Sequence, residues 1–356
     1  MRVSILGAGG AAYGAAAQLF VGGHDPMLWS PSGQSTRELA TGAPLLATAG
    51  IETSFQPRIA SSAEQAITES DVVMLVMPGN AHKMALEATA AHLREGQPVI
   101  ISSHASFGAL YLSKLLAARG VRAPIIAWGT TLTTGRKTSP TVVGVNSLRS
   151  KIDIATVPEA GLDEGHALCT ALFGERFVKR DGLLAIALSN LNPQNHLAIA
   201  LFNLTRMERG ESWGQAENVT PAVGRVMEAL DAERLAIAEA FGLSVRTIKE
   251  HYAFSYQLPV ASIAEMNANL HGQGRGGFGP TTLESRYVLE DAPFGLLPTV
   301  LLGRLVGRPA VLHEAGLTML SGAYGRDFAD DNDLLPSLDF AQMTREELQE
   351  RARLGF

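Results

Sequence analysis

Short apolar runs alternate with helical segments over the first 180 residues of the chain. Val3–Leu6 is apolar except for Ser4, and Asp71–Met77 is apolar after its first residue, as strands buried on both faces should be. The predicted strands are Val3–Leu6, Pro26–Trp29, Asp71–Met77, Pro98–Ser102, Pro124–Trp128, Thr141–Val145 and Ile152–Thr156. The predicted helices are Ala11–Phe20, Ser62–Thr68, Asn80–Leu93, Ala109–Ala118 and Glu164–Phe173. This alternation predicts an α/β domain, a doubly wound sheet of the Rossmann type, over residues 1–180.

Helical periodicity replaces the alternation from Asp181 onward. The predicted helices there are Leu183–Leu204, Pro221–Phe241, Val245–Phe254, Val260–Asn267, Thr299–Leu305 and Arg345–Leu354. We therefore predict a second, all-helical substrate domain over residues 181–356, with the active site in the cleft between the domains. The glycine-rich stretch His271–Gly279 is a candidate functional loop, because long loops often carry function.

The composition narrows the class of protein. Hydrophobic residues make up 46% of the 356 residues and the formal net charge is −6, which excludes a disordered chain and argues against a nucleic-acid-binding surface. No apolar stretch reaches the length of a membrane span, and we expect no signal peptide, because the first strand begins at Val3. The single cysteine, Cys169, rules out an internal disulfide and a cysteine-based metal site, and suits the reducing cytoplasm.

A glycine-rich turn follows the first predicted strand and opens the first predicted helix. Its sequence is Gly7-Ala8-Gly9-Gly10-Ala11-Ala12. Gly7 permits the tight turn, Gly9 leaves the backbone open to a pyrophosphate, and Ala12 allows close packing of helix on strand. Gly10, in the same turn, is a further candidate for cofactor binding. The helix N-terminus then offers free amides to the phosphates. A glycine-rich turn without a ligand is the alternative, but the strand–turn–helix context favours a dinucleotide site.

The end of the second predicted strand bears on the choice of cofactor. NAD(H) sites usually have an acidic residue there, which accepts a hydrogen bond from the ribose 2′-hydroxyl. This chain has Ser30 instead, and Glu38 lies several residues beyond. Ser30 can donate to a 2′-phosphate and Arg37 can reach one. The predicted cofactor is NAD(H) or NADP(H), and these residues favour NADP(H).

Two polar segments interrupt the apolar second half of the chain. One runs from Ser189 to His196, and the other contains Arg286, Glu290 and Asp291. Reduction of a C=O or C=N bond needs a proton donor, which a histidine oriented by a carboxylate can provide near neutral pH. An arginine can hold a substrate carboxylate by two parallel hydrogen bonds. A structural histidine and a surface ion pair are the alternatives, and Glu290 competes with Asp291 for the carboxylate role.

These residues give the chain a resemblance to the opine dehydrogenase family, which includes octopine and nopaline dehydrogenases. The resemblance covers nearly the whole length. It rests on the Gly7–Gly10 turn, the predicted strand ending at Pro78, the segment from Asn192 to His196, and the segment Arg286–Leu296. The last segment, an arginine and tyrosine followed by an acidic pair and Pro-Phe-Gly-Leu, is the most specific.

The resemblance implies a reductive condensation of an amino acid with an α-keto acid through an imine. It implies that His196 is the acid–base group with Asp291 as its partner, and that Arg286 holds a substrate carboxylate. By the same resemblance Thr131 contacts substrate and Pro78 borders the cofactor. Thr133 and Thr134 depart from the family pattern, in which Thr-Leu is often followed by proline and an aromatic residue.

Two other functions remain open from the sequence. One is a ketone reductase similar to ketopantoate reductase or glycerol-phosphate dehydrogenase, although the segment around Lys249 does not match the catalytic lysine segments of those families. The other is a dinucleotide-binding protein without turnover. The expected partners are small-molecule substrates, with a homodimer left open and with neither nucleic acid nor membrane.

Overall fold

The computed structural model describes residues 1–356, and the chain divides into two compact units. The first comprises Met1–Ala187 together with Glu346–Phe356, and the second comprises Leu188–Arg345. These bounds differ from the sequence-based ranges 1–180 and 181–356 because the C-terminal segment belongs to the first unit. The backbone amide of Phe356 donates to Ser113 Oγ at 2.9 Å, which ties the C-terminus to that unit.

The first unit contains every strand of the protein. In chain order the strands are β1 (Arg2–Leu6), β2 (Asp25–Trp29), β3 (Leu45–Ala49), β4 (Thr53–Phe55), β5 (Arg58–Ile59), β6 (Val72–Leu75), β7 (Val99–Ile101), β8 (Ile125–Trp128), β9 (Thr133–Ser139), β10 (Val142–Leu148), β11 (Ile152–Val157) and β12 (Phe177–Lys179). Eight of them form one sheet in the order β12-β11-β8-β7-β6-β1-β2-β5. Central strand β1 pairs in parallel with β2 and β6, so the strand order reverses beside it and confirms the predicted doubly wound sheet.

The remaining four strands form a second sheet in the order β4-β3-β10-β9. The predicted strand Thr141–Val145 therefore exists as β10 but does not belong to the main sheet. It pairs in parallel with β3 and antiparallel with β9. These partners are supplied by the segment after β2 and by a hairpin, neither of which local periodicity marked as strand.

Helices of the first unit flank the main sheet. They are α1 (Gly10–Val21), α2 (Arg37–Ala40), α3 (Ala63–Thr68), α4 (His82–His92), α5 (Gly108–Ala118), α6 (Leu162–Phe173) and the larger part of α7 (Gly182–Ser189). Their core consists of residues such as Val3, Tyr13 and Trp128, which are fully buried. Alanines dominate the buried face of α1, which lets that helix approach the strands closely.

The second unit is entirely helical, as the sequence predicts. Its helices are α8 (Asn192–Phe202), α9 (Leu204–Glu208), α10 (Pro221–Ala240), α11 (Ile248–Tyr256), α12 (Ile263–Gly272), α13 (Arg286–Leu289), a π-helical turn (Ala292–Leu296), α14 (Leu297–Leu305), α15 (Val311–Tyr324) and α16 (Leu334–Ser337). The last helix of the chain, α17 (Arg345–Leu354), lies almost wholly in the first unit. No helix is both long and apolar enough to span a lipid bilayer.

The single helix predicted over Leu183–Leu204 is wrong, because α7 and α8 occupy most of that range and α9 begins at Leu204. Helix α7 ends at Ser189 and α8 begins at Asn192. The side chain of Asn190 accepts a hydrogen bond from the Asn192 amide at 3.1 Å, and Pro193 occupies the first turn of α8. A proline is favourable there, since its missing N–H would have no partner within the helix.

Candidate active site

The turn after β1 is shaped to admit a ligand at its backbone. The amide of Gly7 donates to Trp29 O at 2.9 Å, which joins the turn to the end of β2. Gly7 has φ +141°, and a Cβ there would lie 2.1 Å from Val76 O, so only glycine fits. A Cβ at Gly9 would meet no atom within 4 Å. The backbone at Gly9 therefore borders open space.

Helix α1 begins directly at this open space. Gly9 is its N-cap residue, no side chain caps it, and its first amides have no partner within the helix. The helix lies close to the second sheet. A Cβ at Gly10 would lie 2.3 Å from Gly135 O of β9, so this approach requires glycine. Ala12 is fully buried. Open backbone and free amides at a helix N-terminus fit the pyrophosphate of a nicotinamide dinucleotide.

The other residues predicted to contact the cofactor follow neighbouring strands. Ser30 comes directly after β2, and Pro78 comes shortly after β6 and precedes a short 3₁₀ turn. Since β2 and β6 flank β1 in parallel, Gly7, Ser30 and Pro78 share one edge of the sheet. Thr131 follows β8 at the same edge, where its hydroxyl donates to Thr133 O at 3.0 Å.

His196 and Asp291 form a hydrogen-bonded pair in the helical unit. His196 Nδ1 lies 2.6 Å from Asp291 Oδ2, although 95 residues separate them in sequence. The two side chains are only 18% and 16% exposed. His196 belongs to the first turns of α8, and Asp291 immediately precedes the π-helical turn. With Nδ1 bonded to the carboxylate, Nε2 is the ring nitrogen that can exchange a proton with a substrate.

A close contact between the π-helical turn and the ring of Pro193 in α8 helps to set the position of this pair. Gly295 of the π-helical turn packs on Pro193 of α8, and a Cβ at Gly295 would lie 2.2 Å from Pro193 Cγ. The turn is also held by Asn332, whose side-chain amide donates to Pro293 O at 2.8 Å. π-Helical turns are rare in proteins, and those that occur often lie at functional sites. Here the π-helical turn begins directly after Asp291.

Tyr287 adds a contact that the sequence analysis did not assign. Its ring stacks on the His196 ring with centroids 3.6 Å apart and an interplanar angle of 14°. Its hydroxyl donates to Gln215 Oε1 at 2.6 Å, which fixes the tyrosine in turn. Burial raises the pKa of Tyr287 above its usual value, so the phenol stays neutral. The tyrosine was visible in the Arg286–Leu296 segment, but the stacking depends on a tertiary contact.

Arg286 is paired within the helical unit rather than with Asp291. Its guanidinium forms an ion pair with Glu290, four residues along the chain, and its side chain is 76% exposed. The sequence left open whether Glu290 or Asp291 is the carboxylate partner of the histidine. In the structure Glu290 pairs with Arg286, and Asp291 pairs with His196. A substrate carboxylate that binds Arg286 would displace Glu290 or share the guanidinium with it.

His104 is a second histidine close to a strand end, and its buried environment disfavours the charged form of the ring. It is 5% exposed, and neither ring nitrogen has a hydrogen-bond partner. Burial, and then the charge of His82, lower the pKa of His104 to about 3. Such a ring is neutral throughout the physiological range, and it lacks the carboxylate partner that His196 has.

The fold and this geometry define a class: a two-unit protein with a Rossmann-type sheet and a helical unit that carries a histidine–aspartate pair. The model of the family described as "NAD/NADP octopine/nopaline dehydrogenase, alpha-helical domain" matches residues 179–324. An opine dehydrogenase from Arthrobacter sp. (strain 1C) is 31% identical over 347 residues, covering 96% of each chain. The chain therefore belongs to the opine dehydrogenase family. It is an NAD(P)-dependent oxidoreductase acting on CH–NH bonds.

Solved structures share the fold at lower sequence identity. An octopine dehydrogenase with NADH and L-arginine has a TM-score of 0.76 at 16% identity, covering 91% of this chain and 90% of its own. A yersinopine dehydrogenase with NADP+ has a TM-score of 0.73 at 17% identity, covering 98% and 99%. A ketopantoate reductase from Ralstonia eutropha has a TM-score of 0.60 at 16% identity, covering 90% and 97%. The ketone reductase is thus the more distant of these relatives in fold.

Proposed function

We propose that this enzyme reductively condenses an amino acid with an α-keto acid. The amine adds to the keto carbon and water leaves, which gives an imine. Addition of a hydride and a proton then gives a secondary amine that carries two carboxylates. The observation that supports this proposal best is the 2.6 Å bond between His196 and Asp291 in a member of the opine dehydrogenase family.

His196 acts in this proposal through its Nε2 atom. It protonates the departing carbinolamine oxygen or the amine nitrogen that develops during reduction. Asp291 accepts the Nδ1 proton, holds the tautomer and stabilises the imidazolium. Stacking on Tyr287 keeps the imidazole plane fixed while the proton moves. When bound, the nicotinamide cofactor supplies the hydride.

The remaining site residues have binding roles. Gly7, Gly9, Gly10 and Ala12 form the turn that would hold the pyrophosphate, with Ser30 and Pro78 beside it, while Thr131 contacts substrate. Arg286 binds a substrate carboxylate, which weakens its ion pair with Glu290.

Solved relatives indicate the substrate classes. One octopine dehydrogenase structure contains NADH and L-arginine, and another contains NADH and pyruvate. We propose the same two classes for this enzyme, an amino acid and a short α-keto acid. We place the reaction in the cytoplasm, and we expect a preference for NADP(H), because no acidic residue directly follows β2.

A crossed substrate screen tests the proposed function. Purified enzyme is mixed with NADPH or NADH, with each of a set of α-keto acids, and with or without each of a set of amino acids. We expect cofactor oxidation only when both substrates are present, and a product whose mass equals their sum less one oxygen atom. Oxidation with a keto acid alone would instead establish a ketone reductase. Cofactor binding without oxidation under any pair would contradict enzymatic function.

A further inference from the structure

Lys137 of β9 places its ammonium group beside the glycine-rich turn. Lys137 Nζ lies 3.4 Å from Ala8 O, within the turn, and 3.3 Å from Ser35 O, in the segment after β2. It also donates to the Tyr13 hydroxyl at 3.2 Å and lies 4.2 Å from the centroid of that ring. One side chain from the second sheet therefore bridges the two segments that border a dinucleotide.

This ammonium group is half-buried and has only uncharged partners. No carboxylate lies within ion-pair distance of it, and its neighbours are two backbone carbonyls and a phenol. Burial lowers the pKa of Lys137, and the more distant charge of Glu38 only partly offsets this effect. Burial raises the pKa of Tyr13 to about 12, with a smaller contribution from Glu38, so the phenol cannot supply a counter-charge. A partly desolvated cation without a counter-ion is costly, and an anion bound beside it would offset that cost.

The position selects one phosphate of the cofactor. In folds of this type the pyrophosphate lies at the helix N-terminus, and the adenosine ribose lies against the end of the second strand. Gly7 is bonded to Trp29, the last residue of β2, so the ribose position lies between the turn and the segment after β2. The Lys137 ammonium touches the carbonyls of both. Ser30 follows β2 where NAD(H) sites place an acidic residue, so no carboxylate there repels a phosphate.

We propose that Lys137 binds the 2′-phosphate of NADP(H) and is the main determinant of cofactor preference in this enzyme. The proposal rests on the dinucleotide site of the proposed function and extends it to a residue of the second sheet. The ring of Tyr13, beside the Lys137 ammonium group, is itself fixed. The Tyr13 hydroxyl donates to Ser35 O at 2.7 Å and lies 3.1 Å from Pro140 O, so the ammonium group rests against a ring that is held in place.

Binding measurements on the full chain test the proposal without requiring turnover. Isothermal titration is carried out with NADPH, NADH, adenosine 2′,5′-bisphosphate and 5′-AMP. We expect the wild type to bind the bisphosphate at least about tenfold more tightly than 5′-AMP, because a charge-assisted hydrogen bond to phosphate is strong. Equal affinity for these two nucleotides in the wild type would overturn the proposal without any variant.

Lys137→Met then removes the charge and keeps the length of the side chain. We expect NADPH and the bisphosphate to bind about 10- to 100-fold more weakly, and NADH and 5′-AMP to change by less than about threefold. Lys137→Arg should keep most of the preference, and it provides a second variant should the methionine variant melt early. Equal losses for NADPH and NADH would assign the ammonium to the pyrophosphate and overturn the proposal.

Lys151→Met is the matched control. It removes the same charge from an exposed lysine just before β11, which is four strands from β1 and so about 19 Å away across the sheet. We expect all four nucleotides to bind it as they bind the wild type. A loss of NADPH affinity in this control equal to that of Lys137→Met would show that overall charge, rather than contact, sets the preference. Because these titrations need no amino acid or keto acid, their result is independent of the substrate screen.

Discussion

At the scale of single residues, three glycines of one turn differ in what a side chain would meet. A Cβ at Gly7 would lie 2.1 Å from Val76 O, and a Cβ at Gly10 would lie 2.3 Å from Gly135 O. A Cβ at Gly9 would point into open space. The first two positions are therefore required by the fold, whereas the third is available for a ligand.

We expect Gly9→Asp to abolish dinucleotide binding and to leave the fold intact. The new carboxylate would occupy the position of the pyrophosphate and add like charge, while the free energy of unfolding should change by less than about 0.5 kcal/mol. Titration with both reduced cofactors and thermal melting measure the two effects. Gly10→Ala is the contrast, because it should lower the melting temperature. Unchanged cofactor affinity of Gly9→Asp would remove the turn from the cofactor site.

The His196–Asp291 pair should behave as one unit in kinetics. Loss of a general acid typically costs about 10²- to 10⁴-fold in rate, so we expect His196→Ala to lower kcat by that order. Asp291→Asn should cost a similar factor, because the amide can hold the wrong tautomer. The double variant should be little worse than either single variant, since groups that act together are not additive. Cofactor affinity, measured by titration, should stay near the wild-type value.

Near wild-type kcat in His196→Ala on the best substrate pair would contradict the proposed chemistry. Additive losses in the double variant would show that the two residues act separately, despite the 2.6 Å between them. The sequence alone could not have joined these residues by spacing, because they are 95 positions apart. Family resemblance linked them, and the packing of α8 on the π-helical turn supplies the physical reason.

At the scale of elements, the π-helical turn Ala292–Leu296 positions Asp291 through Gly295. We expect Gly295→Ala to destabilise the enzyme by about 1–3 kcal/mol, because its Cβ would overlap Pro193 and force α8 and the turn apart. Since His196 lies one turn beyond Pro193, kcat should fall as well. Urea unfolding and steady-state kinetics measure these effects.

Gly322→Ala in α15 is the control for that substitution. A Cβ at Gly322 would meet nothing within 4 Å, so the same change there should stabilise the helix by up to about 1 kcal/mol. If Gly295→Ala were also neutral or stabilising, the contact with Pro193 would not determine the position of Asp291.

Glu233 of α10 joins two helices of the second unit. Its carboxylate accepts from the amides of Leu312 and His313 at 2.8 and 3.2 Å, and lies 2.8 Å from His313 Nδ1. The first turn of α15 has no cap from its own N-cap residue, so Glu233 serves in its place. Burial opposes ionisation of Glu233, but the His313 side chain and the two amides outweigh it and hold the pKa below the usual glutamate value.

We expect Glu233→Gln to lower the free energy of unfolding by about 1–3 kcal/mol at pH 7. Because the folded-state pKa is depressed, the charge of Glu233 stabilises fully above the ordinary glutamate pKa, and this contribution is lost as pH falls through the lowered value. The difference between wild type and variant should therefore shrink below about pH 4. Urea unfolding at pH 7 and in that acidic range measures it, and a difference independent of pH would contradict the linkage.

Local periodicity predicted some elements and missed others for identifiable reasons. Val3–Leu6 appears as β1 because a mostly apolar run buried on both faces is a local signal. Strands β3 and β4 were missed, although they form a local antiparallel pair. Strand β3 also pairs with β10, a segment almost 100 residues away that no local pattern indicates. The glycines at 276 and 279 have a packing reason: a Cβ there would lie 2.8 Å from Ala216 Cβ and 2.2 Å from the Trp213 ring.

At the scale of the whole molecule, the chain returns to its first unit at the end. Helix α17 was predicted by its periodicity, but its assignment to the helical unit followed only from sequence order. Phe356 lies under the Arg351 guanidinium, 4.6 Å from ring centroid to Cζ, and its amide is bonded to Ser113 of α5. Leu354 and Phe356 also line a cavity of about 440 Å³ with α5 and the start of β8. Such a return requires tertiary contacts that no local pattern specifies.

The unit to which α17 belongs can be determined by hydrogen exchange. Leu348 is fully buried, so Leu348→Ala should destabilise by about 2–5 kcal/mol. We expect faster amide exchange in α5 and β8 of the first unit, with α10 and α15 unchanged. Glu350→Ala, on the exposed side of the same helix, is the control and should alter stability by less than about 0.5 kcal/mol. Faster exchange confined to α10 and α15 would instead assign α17 to the helical unit, because local opening follows the contacts that were lost.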